Sequence, residues 1–518
     1  QIFFLYAQRC LFHPLATYPG PRLAALTSWY ATYYAARGNL HEKTHEWHRI
    51  YGPIVRINPD SLCFNTATAH AAIYNTSALV RKDEKYGGLS VSRRTPNLLT
   101  SIEKDLTRFK RKVHTRFLGS QNLQDSQIQS RILAQIARFH EVLDRGGDST
   151  TRHSHSGGDW GDLTDMAKVC NWMALDIISD LSFGKAVGLL HNPERRWFVN
   201  AIATMSWRGI VHAFQPAIYK WRLESPLSTL LAPTYELMGS LGNWARAESA
   251  ACAGEESDKP AFIRMARDAE NMEKGLRFGQ KELWVESVMM LVAGSDTTSA
   301  TLSAVFHHLL HNPSIHHLAK QEIRNTFQDA DSIRPGKTLD SCTYLNACIK
   351  ESLRLNPAVA NFLPRRVDSL AGIEIDGQRI PDGTIVGVSL FALHRNEVYF
   401  HKPNGYHPER WIAEENHATH LGTGASALQE KAFNPFSAGP RMCVGSKLAW
   451  MELKVTIAKT LFSLDMQLKS GYCACSKACP KATGEWRSDC DFPMKSYATA
   501  FVKGPMVQVR RRKPTASI

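Results

Sequence analysis

A mainly α fold with small β-sheets at its edges is what this sequence predicts, and three observations carry the expectation. Apolar residues recur at helical spacing in several long segments, the longest from about Gln280 to His311. Short alternating runs bounded by Asn-Pro-Asp and Asp-Gly turns occur near the N-terminus and in the last third of the chain. Hydrophobic content of 43% with 21% charged residues is near the globular average, which suits a buried core and excludes wholesale disorder. The 518 residues are read as one large domain after a short leader, because the motifs described below lie far apart and must meet at one site.

In chain order, residues 1–18 read as an apolar membrane-anchor remnant. QIFFLYAQRCLF is interrupted by Gln8 and Arg9 and falls short of the ~20 residues a spanning helix needs, the alternative being a helix lying in the interface. Tyr18-Pro19-Gly20-Pro21 makes a stiff break, so the globular body is placed at 19–518. A helix over His41–Tyr51 precedes two strands around Asn58-Pro59-Asp60, and a basic helix follows at Lys104–Phe117. The Gly/Ser/His stretch 146–161 reads as a surface loop whose His153 and His155 are solvated rather than metal-bound. Helical spacing returns over Leu163–Leu181 and, less regularly, Trp197–Leu241. The longest helix is stopped by Asn312-Pro313, and its middle carries Gly294, Thr297 and Thr298, poor helix formers that each cost up to ~1 kcal/mol. Something other than helix stability places them there. A helix ending at Arg354 is stopped by Asn356-Pro357, turns at Asp376-Gly377 and Asp382-Gly383 separate short strands, and FPMKSYATAF with MVQVRRR is expected to form a final hairpin across Val502-Lys503-Gly504-Pro505.

The formal charge of +14 suits an anionic membrane surface or an acidic protein partner. Nucleic acid is the weakest reading, since aromatic residues do not interleave with basic clusters and the densest run, Arg510–Lys513, reads as a solvated tail. Eleven cysteines scattered through so long a chain fit a reducing compartment, and Cys473, Cys475, Cys479 and Cys490 lack the paired spacing of a zinc site.

The segment Phe436-Ser437-Ala438-Gly439-Pro440-Arg441-Met442-Cys443-Val444-Gly445 matches F-x-x-G-x-R-x-C-x-G at all five fixed positions. At ~5% usage per residue type an accidental match at a given position is on the order of one in three million. It resembles the haem-binding loop of the cytochrome P-450 family. That resemblance implies the P-450 fold with its long central helix over haem b, and Cys443 as the iron ligand, where a thiolate donates more electron density than an imidazole. Gly439 and Gly445 then let backbone donors approach the sulfur, Phe436 belongs to the same cofactor loop, and Arg441 pairs with a haem propionate. Glu351-Ser352-Leu353-Arg354 is similar to the family's E-x-x-R, and Tyr406-His407-Pro408-Glu409-Arg410-Trp411 to its P-E-R-aromatic segment, which implies a structural cluster of Glu351, Arg354 and Arg410.

Ala293–Thr298 resembles the family's A-G-x-D-T-T. The likeness implies that Gly294 lets the helix approach the haem, that the Thr297 hydroxyl opens a groove and holds water, and that Asp296 with Thr297 delivers protons. Arg365 occupies a family position that contacts a propionate. Around Asp105–Arg111 the family's Trp or His is Leu106 and its Arg is Lys110, a point charge that cannot form a bidentate fork, so Lys110 stands as a weaker propionate contact. The implied reaction is insertion of one atom of dioxygen into a lipophilic small molecule. Electrons come from NADPH only indirectly, through a separate NADPH-cytochrome P-450 reductase docked near Lys447, since no nucleotide fingerprint occurs in the chain. Pocket residues are expected from Met289–Ala293, Ala358–Leu363 and the turn near Ala500. The start of the chain resembles filamentous-fungal microsomal members of secondary metabolism, which implies a monomer at the endoplasmic reticulum membrane facing the cytosol. A haem-thiolate isomerase or dehydratase needing no external electrons, or a non-catalytic haem protein, are the alternatives, and the intact Asp296-Thr297 pair favours the monooxygenase.

Overall fold

The computed structural model describes residues 8–75, 79–92, 94–146, 160–221, 232–412, 424–469 and 492–512. Six helices position the site. Helix α1 (Lys104–Phe117) starts where the Glu103 side chain accepts the Asp105 and Leu106 amides, which are orphan donors of the first turn. Helix α2 (Met166–Phe183) is capped by Asp165 and ended by Gly184 at φ 80°, and 16 of its 18 residues are buried. Helix α3 is Trp197–Phe214, α4 Gln280–His311, α5 Thr343–Leu355 and α6 Ser446–Ser463. Unbroken over 32 residues, α4 is about 48 Å long and packs along α2. Polar residues such as Glu286, Ser295 and Ser303 are buried on it beside Leu302 and Phe306, so it is a core helix covered on most sides rather than an amphipathic surface one.

Gly294 has a different reason from the one expected. A Cβ there would lie 2.6 Å from the Ile178 side chain, so the missing side chain lets α4 approach α2 rather than the haem.

The largest sheet is built from β1 (Ile54–Asn58), β2 (Ser61–Phe64), β3 (Val80–Lys82), β4 (Arg365–Val367) and β5 (Ile385–Val388) in the order β1-β2-β5-β4-β3. β5 runs parallel to β2, Val386 opposite Leu62, and the remaining pairs are antiparallel. This sheet brings Lys82 and Arg365 opposite each other on neighbouring strands, 283 positions apart in the chain. The Asp376-Gly377 turn closes a separate hairpin with both residues left-handed, as that dipeptide allows.

The C-terminal expectation needs correction. β7 (Met494–Ser496) and β8 (Ala500–Val502) form their own hairpin across Tyr497–Thr499, whereas β9 (Met506–Arg511) pairs with β6 (Leu464–Leu468) and with Thr164–Asp165. Val507 and Val509 of β9 are buried with Leu464 and Met466 in the main core, and that burial outweighs local pairing across Gly504. The basic run starts within β9 rather than in a tail, but it is solvated as expected: Arg510 lies 3.6 Å from Asp465 and stacks on Trp160, and exposed Arg511 pairs with Asp144. The loop histidines His153 and His155, Lys513, and the four clustered cysteines lie outside the described residues.

At the N-terminal end Leu11 and Phe12 are exposed, while Leu15 is buried against Leu62 and Phe64, so the packed body reaches back before Pro19. Among the described residues no helix is long and apolar enough to cross a membrane.

Candidate active site

The loop Phe436–Gly445 is held by its backbone. The Cys443 amide donates to the Phe436 carbonyl (3.0 Å), and the chain turns through left-handed Ser437 (φ 59°) and Gly439 (φ 67°). A Cβ on Gly439 would strike the Tyr74 carbonyl oxygen and lie 2.8 Å from the Asn75 Cα, so glycine is required both by conformation and by space. Gly445 is not left-handed, and a Cβ there would sit 3.9 Å from the Cys443 Sγ in ordinary contact. Its contribution is its amide, which with that of Ser446 faces the thiol at the start of α6. Burial pushes the thiol pKa up, while these two amides and the Arg111 guanidinium pull it back towards thiolate. Solvent nevertheless reaches the Cys443 residue. Ala293, in the middle of α4, is likewise exposed.

Four cations gather here without an acid. Lys82 and Arg365 from the sheet, Arg441 from the loop and Arg111 from α1 influence one another, and among the described residues none of the four has a carboxylate within ion-pair distance. Burial and the three guanidinium groups together hold the Lys82 ammonium well below its usual pKa, and burial with Arg365 and Arg111 brings Arg441 down to about 10. Their donors rest on neutral groups: Lys82 on the Leu99 carbonyl, Arg441 on Ser101 O (3.1 Å), Arg365 on the Tyr86 hydroxyl (3.0 Å) and Arg111 on Met442 O (2.7 Å). A buried cation cluster of this kind is costly until an anion joins it, and a ligand with two carboxylates beside a thiolate loop supplies what is missing.

The cytochrome P-450 family profile matches residues 19–481. Similar proteins include the cytochrome P-450 monooxygenases apf7 of Gibberella fujikuroi (30% identical, covering 98% of this chain and 95% of the relative) and poxM of Penicillium oxalicum (30%, 98% and 93%). Another is atnE of Emericella nidulans (31%, 98% and 93%). The chain belongs to the cytochrome P-450 family. It is thus an oxidoreductase of the monooxygenase kind, and the family implies haem iron.

The residues present fit that group. Cys443 would hold the iron through its thiol, and the cation cluster would hold its propionates. Lys110 is a correction. The structure turns it away from the cluster: it is 1% exposed, its Nζ lies 2.8 Å from Glu286 of α4 and also donates to the Pro96 carbonyl, and His114 Nε2 is 3.4 Å from the same carboxylate. Buried beside an acid, a lysine takes the nearer charge, so Lys110 ties α1 to α4 instead of holding a propionate. Lys82 and Arg111 were missed from the sequence. Arg111 sits one position after the family's arginine, and the Val80-Arg81-Lys82 run carries no signal beyond an ordinary strand.

Behind the loop, Glu351 accepts a two-pronged contact from Arg354 (Nε 2.9 Å, Nη2 2.8 Å) and further bonds from Arg410 Nε (3.0 Å), Trp411 Nε1 (2.9 Å) and the His407 amide (3.0 Å). Burial alone would raise its pKa, but the Arg354 charge, with Arg410 and the amide, brings it down to about 2. Arg354 also donates to the carbonyls of His394, Pro403 and Gly405, stitching three chain segments together.

On α4 the neighbouring Asp296 and Thr297 face different partners. Thr297 Oγ1 donates to the Ala293 carbonyl (2.6 Å), one turn back along the helix, the kind of bond that bends a helix. The Asp296 carboxyl receives Thr499 Oγ1 (2.9 Å) and Asn171 Nδ2 (3.4 Å), and burial raises its pKa to about 6. Glu452 on α6 is a second buried acid, and it was missed from the sequence. It is 2% exposed, hydrogen-bonded by Thr298, and burial pushes its pKa to about 8. A Glu two turns into an apolar helix offers no sign of this from sequence.

A small pocket is lined by Leu89, Ile210, Phe214, Val359, Phe362 and Tyr497, with Lys85 and Asn361 among its polar members. The expected contributions from the segment 358–363 and from the C-terminal turn are present, none of Met289–Ala293 lines this pocket, and the α3 residues were not anticipated.

Proposed function

We propose that this chain is a haem-thiolate monooxygenase that inserts one oxygen atom from dioxygen into a lipophilic small molecule of fungal secondary metabolism. Haem b held by Cys443 supplies the activation of dioxygen. The observation that carries the reading is the solvent-reached Cys443 thiol with the Gly445 and Ser446 amides and Arg111 beside it, Arg111 also belonging to a cation cluster that has no carboxylate among the described residues. The chain's own residues do the rest. Lys82, Arg365, Arg441 and Arg111 hold the propionates, and the apolar pocket walls orient the substrate and exclude water. Asp296, with a pKa near 6, exchanges a proton close to neutrality. The fungal origin and monooxygenase names of the similar proteins support the class and the setting.

Electrons reach the site from NADPH through a separate reductase, whose acidic face is drawn to exposed Lys447 beside half-exposed Met442. A monomer rests on the endoplasmic reticulum membrane with its body in the cytosol. Exposed Leu11, Phe12, Leu23, Trp29 and Tyr33, contributed by consecutive N-terminal elements, suit a lipid surface. The test is purified protein with reductase, NADPH and a lipophilic library. Substrate-dependent consumption of NADPH and dioxygen with oxygenated product is expected, and it disappears in Cys443→Ser. Turnover of a hydroperoxide without reductase, and none with it, would overturn the proposal in favour of an isomerase.

A further inference from the structure

The Asp296 carboxyl is the meeting point of four elements. From α2, Asn171 Nδ2 reaches Oδ1 at 3.4 Å and the Ser299 hydroxyl at 3.2 Å. From the turn of the β7–β8 hairpin, Thr499 Oγ1 reaches Oδ2 at 2.9 Å. From α3, the Ser206 hydroxyl lies 2.9 Å from Thr499 Oγ1 and accepts the Thr499 amide at 3.1 Å. Ser206 and Thr499 are 4% and 9% exposed, so the chain of hydroxyls is closed from bulk water.

Its polarity follows from the inventory of donors. A carboxylate only accepts, so Thr499 commits its single hydroxyl proton to Asp296, and Ser206 must then donate to Thr499. When Asp296 takes a proton the order reverses: the acid donates to Thr499, and Thr499 to Ser206. Both protonation states are hydrogen-bonded, and the choice between them depends on where α3 and the hairpin hold the two hydroxyls. These are the elements that wall the pocket, through Ile210, Ala213 and Phe214 of α3 and Tyr497 and Ala498 of the hairpin turn.

We infer that Ser206 and Thr499 are positioning residues that couple the Asp296 acid to the pocket walls, so that a substrate seated between α3 and the hairpin sets the acid's protonation. The inference rests on the proposed role of Asp296 as the proton-exchanging acid. Burial is what raises this carboxyl, and Thr499 and Asn171 are the groups that favour its charged form; no charged side chain contributes to the shift. Removing the Thr499 donor therefore raises the pKa further.

The experiment reads the Asp296 carboxyl by infrared titration of the holoenzyme, the band being assigned by its loss in Asp296→Asn. Thr499→Val is expected to move the midpoint up by about 1 unit, and Ser206→Ala by less in the same direction, because it removes the bond that polarises Thr499. Thr499→Ser keeps the hydroxyl and the wild-type midpoint. With substrate and reductase, Thr499→Val shifts the pH profile of product formed per NADPH upward by a similar amount, and Thr499→Ser does not. An unmoved midpoint in both Thr499→Val and Ser206→Ala overturns the inference, as does an equal shift in Thr499→Ser. If Thr499→Val does not fold, Ser206→Ala decides by the same band. Midpoints that move as stated in a protein without reductase-dependent turnover would sink the monooxygenase proposal and leave the hydroxyl link standing.

Discussion

Replacing Glu351 by Ala removes the carboxylate that holds two buried guanidinium groups, Arg354 at 0% and Arg410 at 8% side-chain exposure. Leaving such a charge without its partner costs roughly 3–5 kcal/mol. The Trp411 indole and the His407 amide each lose their acceptor as well, for about 1 kcal/mol apiece. The sum, roughly 5–7 kcal/mol, is comparable with the 5–15 kcal/mol by which folded domains are commonly stable. With an unfolding entropy of about 2.1 cal/mol/K per residue over this length, it corresponds to a fall in Tm of about 5–6 °C. Glu351→Gln keeps the volume but presents an amide donor to a shell made of donors, so it is expected to lose nearly as much. An apolar replacement of the whole cluster does not rescue it, because Arg354 also satisfies the carbonyls of His394, Pro403 and Gly405. The assay is haem content per protein after purification, with a thermal melt followed by circular dichroism. A Glu351→Ala protein that carries full haem and melts within about 1 °C of wild type would refute the reasoning, and a wild-type melt for Glu351→Gln would show that shape rather than charge holds the cluster.

Lys82→Met and Lys110→Met separate the two lysines: the first should weaken haem retention in a competition with apo-myoglobin, the second should lower Tm with haem retention nearly intact, and the reverse pattern would restore Lys110 to the propionates. Gly439→Ala places a methyl against the Tyr74 carbonyl at a left-handed residue, so a haem-poor protein is expected by absorbance. Stability should rise between pH 5 and pH 6.5. His41, His45, His140 and His394 are buried as neutral rings with pKa values of about 3, against 6.5 unfolded, so the unfolded chain binds more protons and each ring's contribution, complete above 6.5, is lost as the pH falls towards 3. Glu452 and Asp296, raised to about 8 and about 6, act in the opposite sense, favouring the fold below their unfolded values and losing that contribution as the pH rises, but they are outnumbered. A Tm that is flat or falls from pH 5 to 6.5 would contradict this.

Local signals set much of this protein. The bounds of Lys104–Phe117 and Gln280–His311 follow from apolar spacing and from Asn312-Pro313, since a helix is decided largely by its own residues and its stops. The Cys443 loop was legible for a related reason: its left-handed turn at Gly439 is a local backbone demand, and the Glu351–Arg354 pair answers to one helical turn. Contacts between distant segments were decided by tertiary packing alone. Which strand β9 joins depended on burying Val507 and Val509 beside Leu464, not on the nearest turn. Whether Lys110 or Lys82 joins the cation cluster depended on Glu286, 176 positions from Lys110 and invisible to any motif, being the closer charge. Gly294 looked like an opening towards the haem and is a notch for Ile178 of the neighbouring helix. Asp296, legible as an acid from its motif, has its partners chosen by two residues more than 100 positions away in the chain, Asn171 and Thr499, because only the folded interior brings an α2 amide and a hairpin hydroxyl to one carboxyl.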